Sequence, residues 1–262
     1  MIRFRWPRRF VAAALLGAGL AGGSAAQELS VSGFGTVGYA QSDRDFVYQR
    51  SIDDNGTLAR DTVVGLQGDL RLTPQWSATL QLRLGQSLRN DDRYDLRPAW
   101  AFVAWRPSDD WLLRAGRMRV PLYLHSEAMD VGVAHDMARL PYEMYSITPS
   151  ADFDGLAAGK TWSRDAGDLA LDAYSGRIGT TARFYLRDGV PGVWPAGPRY
   201  MDVNVRASGL VLTWRSLEST WRASLHRTLT RKADGQALPV RYPFVEVAPG
   251  VGYYQEIGRA HV

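Results

Sequence analysis

Residues 62–84 read TVVGLQGDLRLTPQWSATLQLRL, and their alternation decides the fold. Val64, Leu66, Leu70 and Leu72 share one parity, and Gln67, Asp69 and Arg71 share the other. After TPQW, Trp76, Ala78, Leu80, Leu82 and Leu84 alternate with Ser77, Thr79, Gln81 and Arg83. A period of two marks a strand with one apolar and one polar face. The short link between the runs makes them an antiparallel hairpin.

The same unit recurs along the chain. Residues 98–106 and 111–118 flank PSDD, 155–163 and 168–175 flank RDAG, and 202–215 and 220–230 flank SLES. With residues 28–40 this predicts nine strands up to residue 230, and VGYYQE at 251–256 begins a tenth. In 202–215 the apolar parity changes near Gly209, which predicts a bulge. Between the short turns lie long polar segments at 41–60, 86–97, 119–151, 176–200 and 231–250. Strict alternation of short and long connections has no purpose in a soluble sandwich. It is the arrangement of an outer-membrane barrel, with short periplasmic turns and long extracellular loops. Trp76, Trp105, Trp111, Trp162 and Trp221 all lie near the short turns, as a membrane-interface girdle would.

The N-terminus, MIRFRWPRRFVAAALLGAGLAGGSAAQE, has a basic head, an apolar stretch from Phe10 to Leu20 and small residues to Ala26. This predicts a secretory signal peptide over 1–26, cut before Gln27. Without its four arginines the 31 basic residues fall to 27, equal to the 27 acidic ones. A neutral balance does not support a nucleic-acid surface. There is no cysteine, so disulfides and thiolate metal sites are excluded. No later run approaches 18 apolar residues, so any membrane crossing is by strands. The C-terminal EIGRAHV, 256–262, is what a common sequencing adapter encodes, so it is expected to be foreign to the protein and the chain a fragment.

The expected architecture is all-β, a transmembrane antiparallel β-barrel over residues 27–255. Its apolar faces point to lipid and its polar faces line a lumen. The alternative is a secreted or surface β-sandwich with a binding or adhesive role, or an enzyme built on the same barrel.

Three segments resemble Gram-negative porins: SVSGFGTVGYA at 30–40, GLQGDLRLTPQWSATLQL at 65–82 and AFVAWRPSDDWLLRAGRMRVPLY at 101–123. The chain is similar to the phosphate-selective porin O and P-like group, over most of residues 30–145. The resemblance implies a barrel of about 16 strands, a homotrimer in outer-membrane lipid, and passage of small polar or anionic solutes. It also implies that the segment after the fifth strand, 119–151, folds inward as a constriction loop.

That segment, RVPLYLHSEAMDVGVAHDMARLPYEMY over 119–145, invites a chemical reading through His125, Glu127, Asp130, His135, Asp136 and Glu143. The histidine spacing matches no helical metal-ligand pair, and carboxylate pairs are common on solvated loops. No nucleophile–base spacing is specific, so neither a catalytic site nor a metal or other cofactor is expected. The arginines carry more. Arg71, Arg83 and Arg114 lie on polar strand faces, and arginine rings favour anions. Arg117 and Arg119 fall on the opposite parity and join them only if the chain leaves strand geometry after Gly116. Arg139, with Glu127, Asp130, Asp136 and Glu143, completes the expected lining, and Asp69, Asp130 and Asp136 are expected to oppose the arginines across the pore.

Overall fold

The computed structural model describes residues 28–44, 52–137, 139–145, 150–186, 189, 192, 194–235, 240–241, 244–248 and 251–254. The signal peptide expected at 1–26 and the tail expected at 256–262 lie outside them. Nine strands form one antiparallel sheet in chain order: β1 (Glu28–Thr36), β2 (Val63–Arg71), β3 (Trp76–Gln86), β4 (Tyr94–Trp105), β5 (Trp111–Arg119), β6 (Asp152–Arg164), β7 (Gly167–Leu186), β8 (Gly197–Arg215) and β9 (Thr220–Lys232). The sheet is open, with β1 and β9 at its edges. Val251–Tyr254 is a strand, but it does not continue this sheet. It pairs with Phe244–Ala248, which pairs with Val240–Arg241, in a separate three-stranded sheet.

Each short turn has a local cause. At 72–75 the Thr73 hydroxyl accepts the Gln75 and Trp76 amides at 3.2 and 3.0 Å, and Pro74 presets the bend. At 165–166 the chain turns into Gly167 at φ 142°, where a Cβ would sit 2.4 Å from Arg215 O. Where β3 pairs with β4, Gln81 faces Trp100 but Leu82 faces Pro98, so Ala99 is an extra residue in a bulge. The bulge also accommodates Pro98, which a regular interior ladder would not.

One face of the sheet is apolar and bare. Leu66, Leu80, Leu84, Val103, Leu156, Leu210, Leu212 and Leu225 are all exposed, Leu156 by 66% and Leu225 by 73%. Such a surface is unstable in water and is what a lipid-facing wall presents. The tryptophans lie on it at the short-turn end. Trp76 stacks on Trp105 at 5.7 Å, Lys160 Nζ lies between Trp111 and Trp162 at 5.1 and 5.8 Å, and Trp214 faces Trp221 across β8 and β9. Among the described residues no helix is long and apolar enough to cross a membrane; the crossing elements are the strands.

Two expectations change at the β7–β8 hairpin. Its strands run on to Leu186 and from Gly197, so the fourth long connection is 187–196 rather than 176–200. Likewise β4 starts at Tyr94, shortening the second to 87–93. There is no bulge at Gly209, because pairing with both neighbours is continuous through it. What changes is polarity. Toward the short turns Leu171, Leu210 and Leu212 point outward. Beyond Ser175 and Ser208 the exposed positions of that parity are Arg177, Asn204 and Arg206, while Thr181 is buried and accepts from Arg89 of the 87–93 connection. There Ile178, Val203 and Val205 form a buried cluster on the opposite face. The hairpin leaves hydrocarbon at that level, and the polarity of each face reverses with the surroundings.

The other face is covered in part by the segment after β5. Strands β5 and β9 are four apart, about 19 Å across a flat sheet. Yet Arg222 Nη2 on β9 donates to Pro121 O, just past β5, at 2.6 Å. Met118, Val120, Phe153, Tyr174 and Ala207 form a buried cluster at the base of this segment, joined by Phe102, Leu122 and Ala157. The segment therefore lies back across the polar face instead of standing off the rim.

Candidate pore lining

The polar face is built from the alternate residues that the sequence puts opposite the leucines. Asp69 accepts from Gln67 Nε2 and Thr79 Oγ1, both at 2.7 Å, and Gln81 Nε2 donates to Gln67 Oε1 at 2.7 Å. These bonds tie β2 to β3 across their polar face. Arg71 sits at the short-turn end of the same face, opposite Glu28 and Ser77, and is exposed. Arg83 lies further along β3, opposite Arg97 of β4.

Asp130, from the segment between β5 and β6, closes on this wall. It accepts from Arg83 Nε at 2.7 Å and is ion-paired with Arg119 Nη2. Arg119 Nε is also 3.4 Å from Asp152 Oδ1. Only 11% of the Asp130 side chain and 5% of Arg119 is exposed. Burial works against the charge of Asp130, but the Arg119 and Arg83 guanidiniums, by charge and by hydrogen bond, hold its carboxyl below the usual carboxylate range. The acid is thus in contact with the arginines and is not set against them across open space. Glu127 makes a second such contact, its Oε1 3.1 Å from Arg114 Nη1, and the Arg114 guanidinium lies 5.8 Å from the Phe102 ring centre.

Arg117 and Arg119 part company although they are two residues apart. Arg117 forms a bidentate pair with Asp154, both contacts at 2.7 Å. Asp154 shares its parity with the bare Leu156, so that pair lies on the apolar side of the wall. Gly116 between the strand and these arginines adopts φ 133°, the departure from ordinary geometry on which the lining role of this pair depends. The ladder nevertheless runs on to Arg119, and only Arg119 joins Asp130. Arg139 pairs with Asp61 at 3.4 Å, Asp136 is exposed, and the Glu143 side chain lies outside the described residues. His125 and His135 meet ring to ring at 5.8 Å; among the described residues no group of three histidines or carboxylates is placed to hold a metal.

Two further arginines belong to the arrangement and were not singled out from sequence. Arg97 stands beside Arg83 in the ladder, hidden because its strand was expected to start later. Arg222 faces Thr213 between the outward Trp221 and Ala223, and its polar parity was the available signal. A cavity of about 370 Å³ remains between segment and wall, lined among others by Arg114, Glu127, Asp172, Tyr174 and Arg222. Tyr174 Oη lies 3.0 Å from His226 Nδ1 at its margin.

No curated protein matches the chain. The profile of the family described as phosphate-selective porin O and P matches residues 34–246, most of the sequence and all nine strands of the large sheet except the first residues of β1. With its bare apolar outer face, tryptophan row and polar inner face, the chain belongs to the phosphate-selective porin O and P family and is an outer-membrane porin.

Proposed function

We propose that the protein is a diffusion channel for small polar solutes, mildly anion-favouring, whose lumen is narrowed by the segment 119–151. The observation that carries this is the contact of Asp130 with Arg83 and Arg119. It fastens the middle of the segment to the polar wall, with Pro121 against Arg222 and Glu127 against Arg114 on either side. Anion preference is supported by charge count at that point. Arg83, Arg97 and Arg119 surround only Asp130 and Asp152, leaving a guanidinium in excess, and guanidinium is a planar partner for phosphate or carboxylate. Arg71 and Arg114 extend the basic lining, and Asp136, Arg139 and Glu143 belong to the constriction in this reading. The exported chain, cut after residue 26, assembles as a homotrimer in this reading.

The test is a reversal-potential measurement in planar bilayers under a salt gradient. Wild type is expected to favour the anion, and Arg97→Gln to shift the potential toward cations with conductance kept. Cation preference in wild type would overturn the reading.

A further inference from the structure

The outward face of β7–β9 carries a cluster of arginines that lining a pore does not explain. Arg177 stands directly opposite Arg206 across β7 and β8. On β9, Arg227 faces Ser208 and Arg231 faces Asn204, so both are diagonal neighbours of Arg206 on the same face. Diagonal neighbours lie about 7–8 Å apart, within reach of one another's long side chains. All four are exposed, and none is among the ion pairs of the described residues.

The nearby acids are already committed. Asp154, opposite Arg177, is held by Arg117 through two bonds. Asp202 accepts from Thr181 and Arg89. Like charges placed opposite each other destabilise a sheet, so the cluster requires an anion from outside the chain.

Its position selects that anion. The cluster sits where the outward face changes from Leu171, Leu210, Leu212 and Leu225 to a mainly polar surface, with Leu229 still exposed between Arg227 and Arg231. From Trp214 to Arg206 the strand climbs about 26 Å at roughly 3.3 Å per residue, or about 20 Å after barrel tilt. That puts the guanidiniums at headgroup level, opposite the tryptophan row. A solute in the lumen cannot reach them, whereas a lipid packed on the leucines brings its headgroup to them. Arginine's fork matches phosphate bidentately, and with the short turns periplasmic this end faces the outer leaflet.

We propose that Arg177, Arg206, Arg227 and Arg231 form a binding site for the phosphates of a phosphorylated outer-leaflet glycolipid of the lipopolysaccharide class, seated on the leucines beneath. This rests on the outer-membrane reading but not on the constriction or the anion preference.

The test uses the full-length protein in detergent, with diphosphorylated lipid A and its dephosphorylated form as probes, and bound lipid counted by native mass spectrometry. Wild type is expected to retain the phosphorylated form and not the other. Replacing all four arginines by glutamine is expected to weaken retention by about tenfold or more, while Arg164→Gln at the short-turn end leaves it unchanged. Heat-modifiable mobility checks folding, and the four-lysine variant, which keeps the charge, retains part of the binding if the variant set folds. Single-channel conductance of the glutamine variant stays at the wild-type value, separating loss of this site from loss of the channel. Equal retention of both glycolipids, or undiminished retention by the glutamine variant, would overturn the proposal. So would loss of oligomers by the glutamine variant, but not by wild type, in lipid-free detergent, which would make the cluster a protomer contact.

Discussion

Asp130 shows how one side chain can fix a long segment. Its carboxylate is buried between two guanidiniums, and removing one partner of such a group leaves an uncompensated buried charge that costs about 3–5 kcal/mol. Asp130→Asn is therefore expected to release the segment from Arg83 and Arg119, seen as larger, noisier conductance and faster protease cutting within 124–137. The pH dependence follows from the direction of its shift. A carboxyl held below its unfolded value, about 3.9, stabilises the docked state fully above that value and loses this as pH falls through the lower folded one. Conductance is expected to stay constant from neutral pH down to about 4 and to rise only at stronger acidity. Release of the segment between pH 5 and 7 would count against Asp130 as the latch. Gly116 is the other single-residue hinge of the site. Its φ of 133° excludes most side chains, and a Cβ would lie 2.3 Å from Ala101 O. Gly116→Ala should lower the temperature at which the barrel loses its heat-modifiable mobility, and do so more than the same change at Gly68, where nothing lies within 4 Å of a Cβ.

Among the elements, the β7–β8 hairpin carries most information about the membrane. An arginine at the midplane of a lipid-facing strand costs about 2–4 kcal/mol, and near the interface about 0–1. Leu210→Arg, midway between Trp214 and Arg206, should thus destabilise refolded protein by that larger amount in denaturant titration, while Asn204→Arg, three outward positions higher, costs little. Equal costs at the two positions would mean that the polarity reversal does not mark the edge of the hydrocarbon. The base of the constriction segment behaves differently, because it is held by packing rather than by charge. Phe153 is 1% exposed and its ring lies 5.1 Å from that of Tyr174. Phe153→Ala should cost about 3–5 kcal/mol in the same titration, with no change in ion preference.

At the scale of the molecule, the large sheet has one bare apolar face and one polar face that its own chain partly covers, and this division makes it a pore wall. Alternation in 62–84 was enough to predict the two faces, because a strand's side-chain period is fixed by backbone geometry and needs no partner, while the lengths of the connections and the tryptophan row assigned those faces to lipid and lumen. The sorting of connections into short and long, the tryptophan row and the family were legible for the same reason, as was the polar parity of Arg71, Arg83 and Arg114. The length of β7 and β8 was not legible. Their polarity reverses where lipid gives way to water, and a periodic pattern read along one face breaks at that point. The Arg83–Asp130–Arg119 contact was not legible either. Its members come from β3, from β5 and from the long segment that follows β5, and only the folding of that segment back onto the wall brings them within 3 Å. The sequence by itself determined the strands, their faces and their environment, since each is a local consequence of backbone period and solvent. Which charges meet was decided by the tertiary structure, because a buried ion pair forms only between groups that the packing of Phe153, Met118 and Val120 has already carried together.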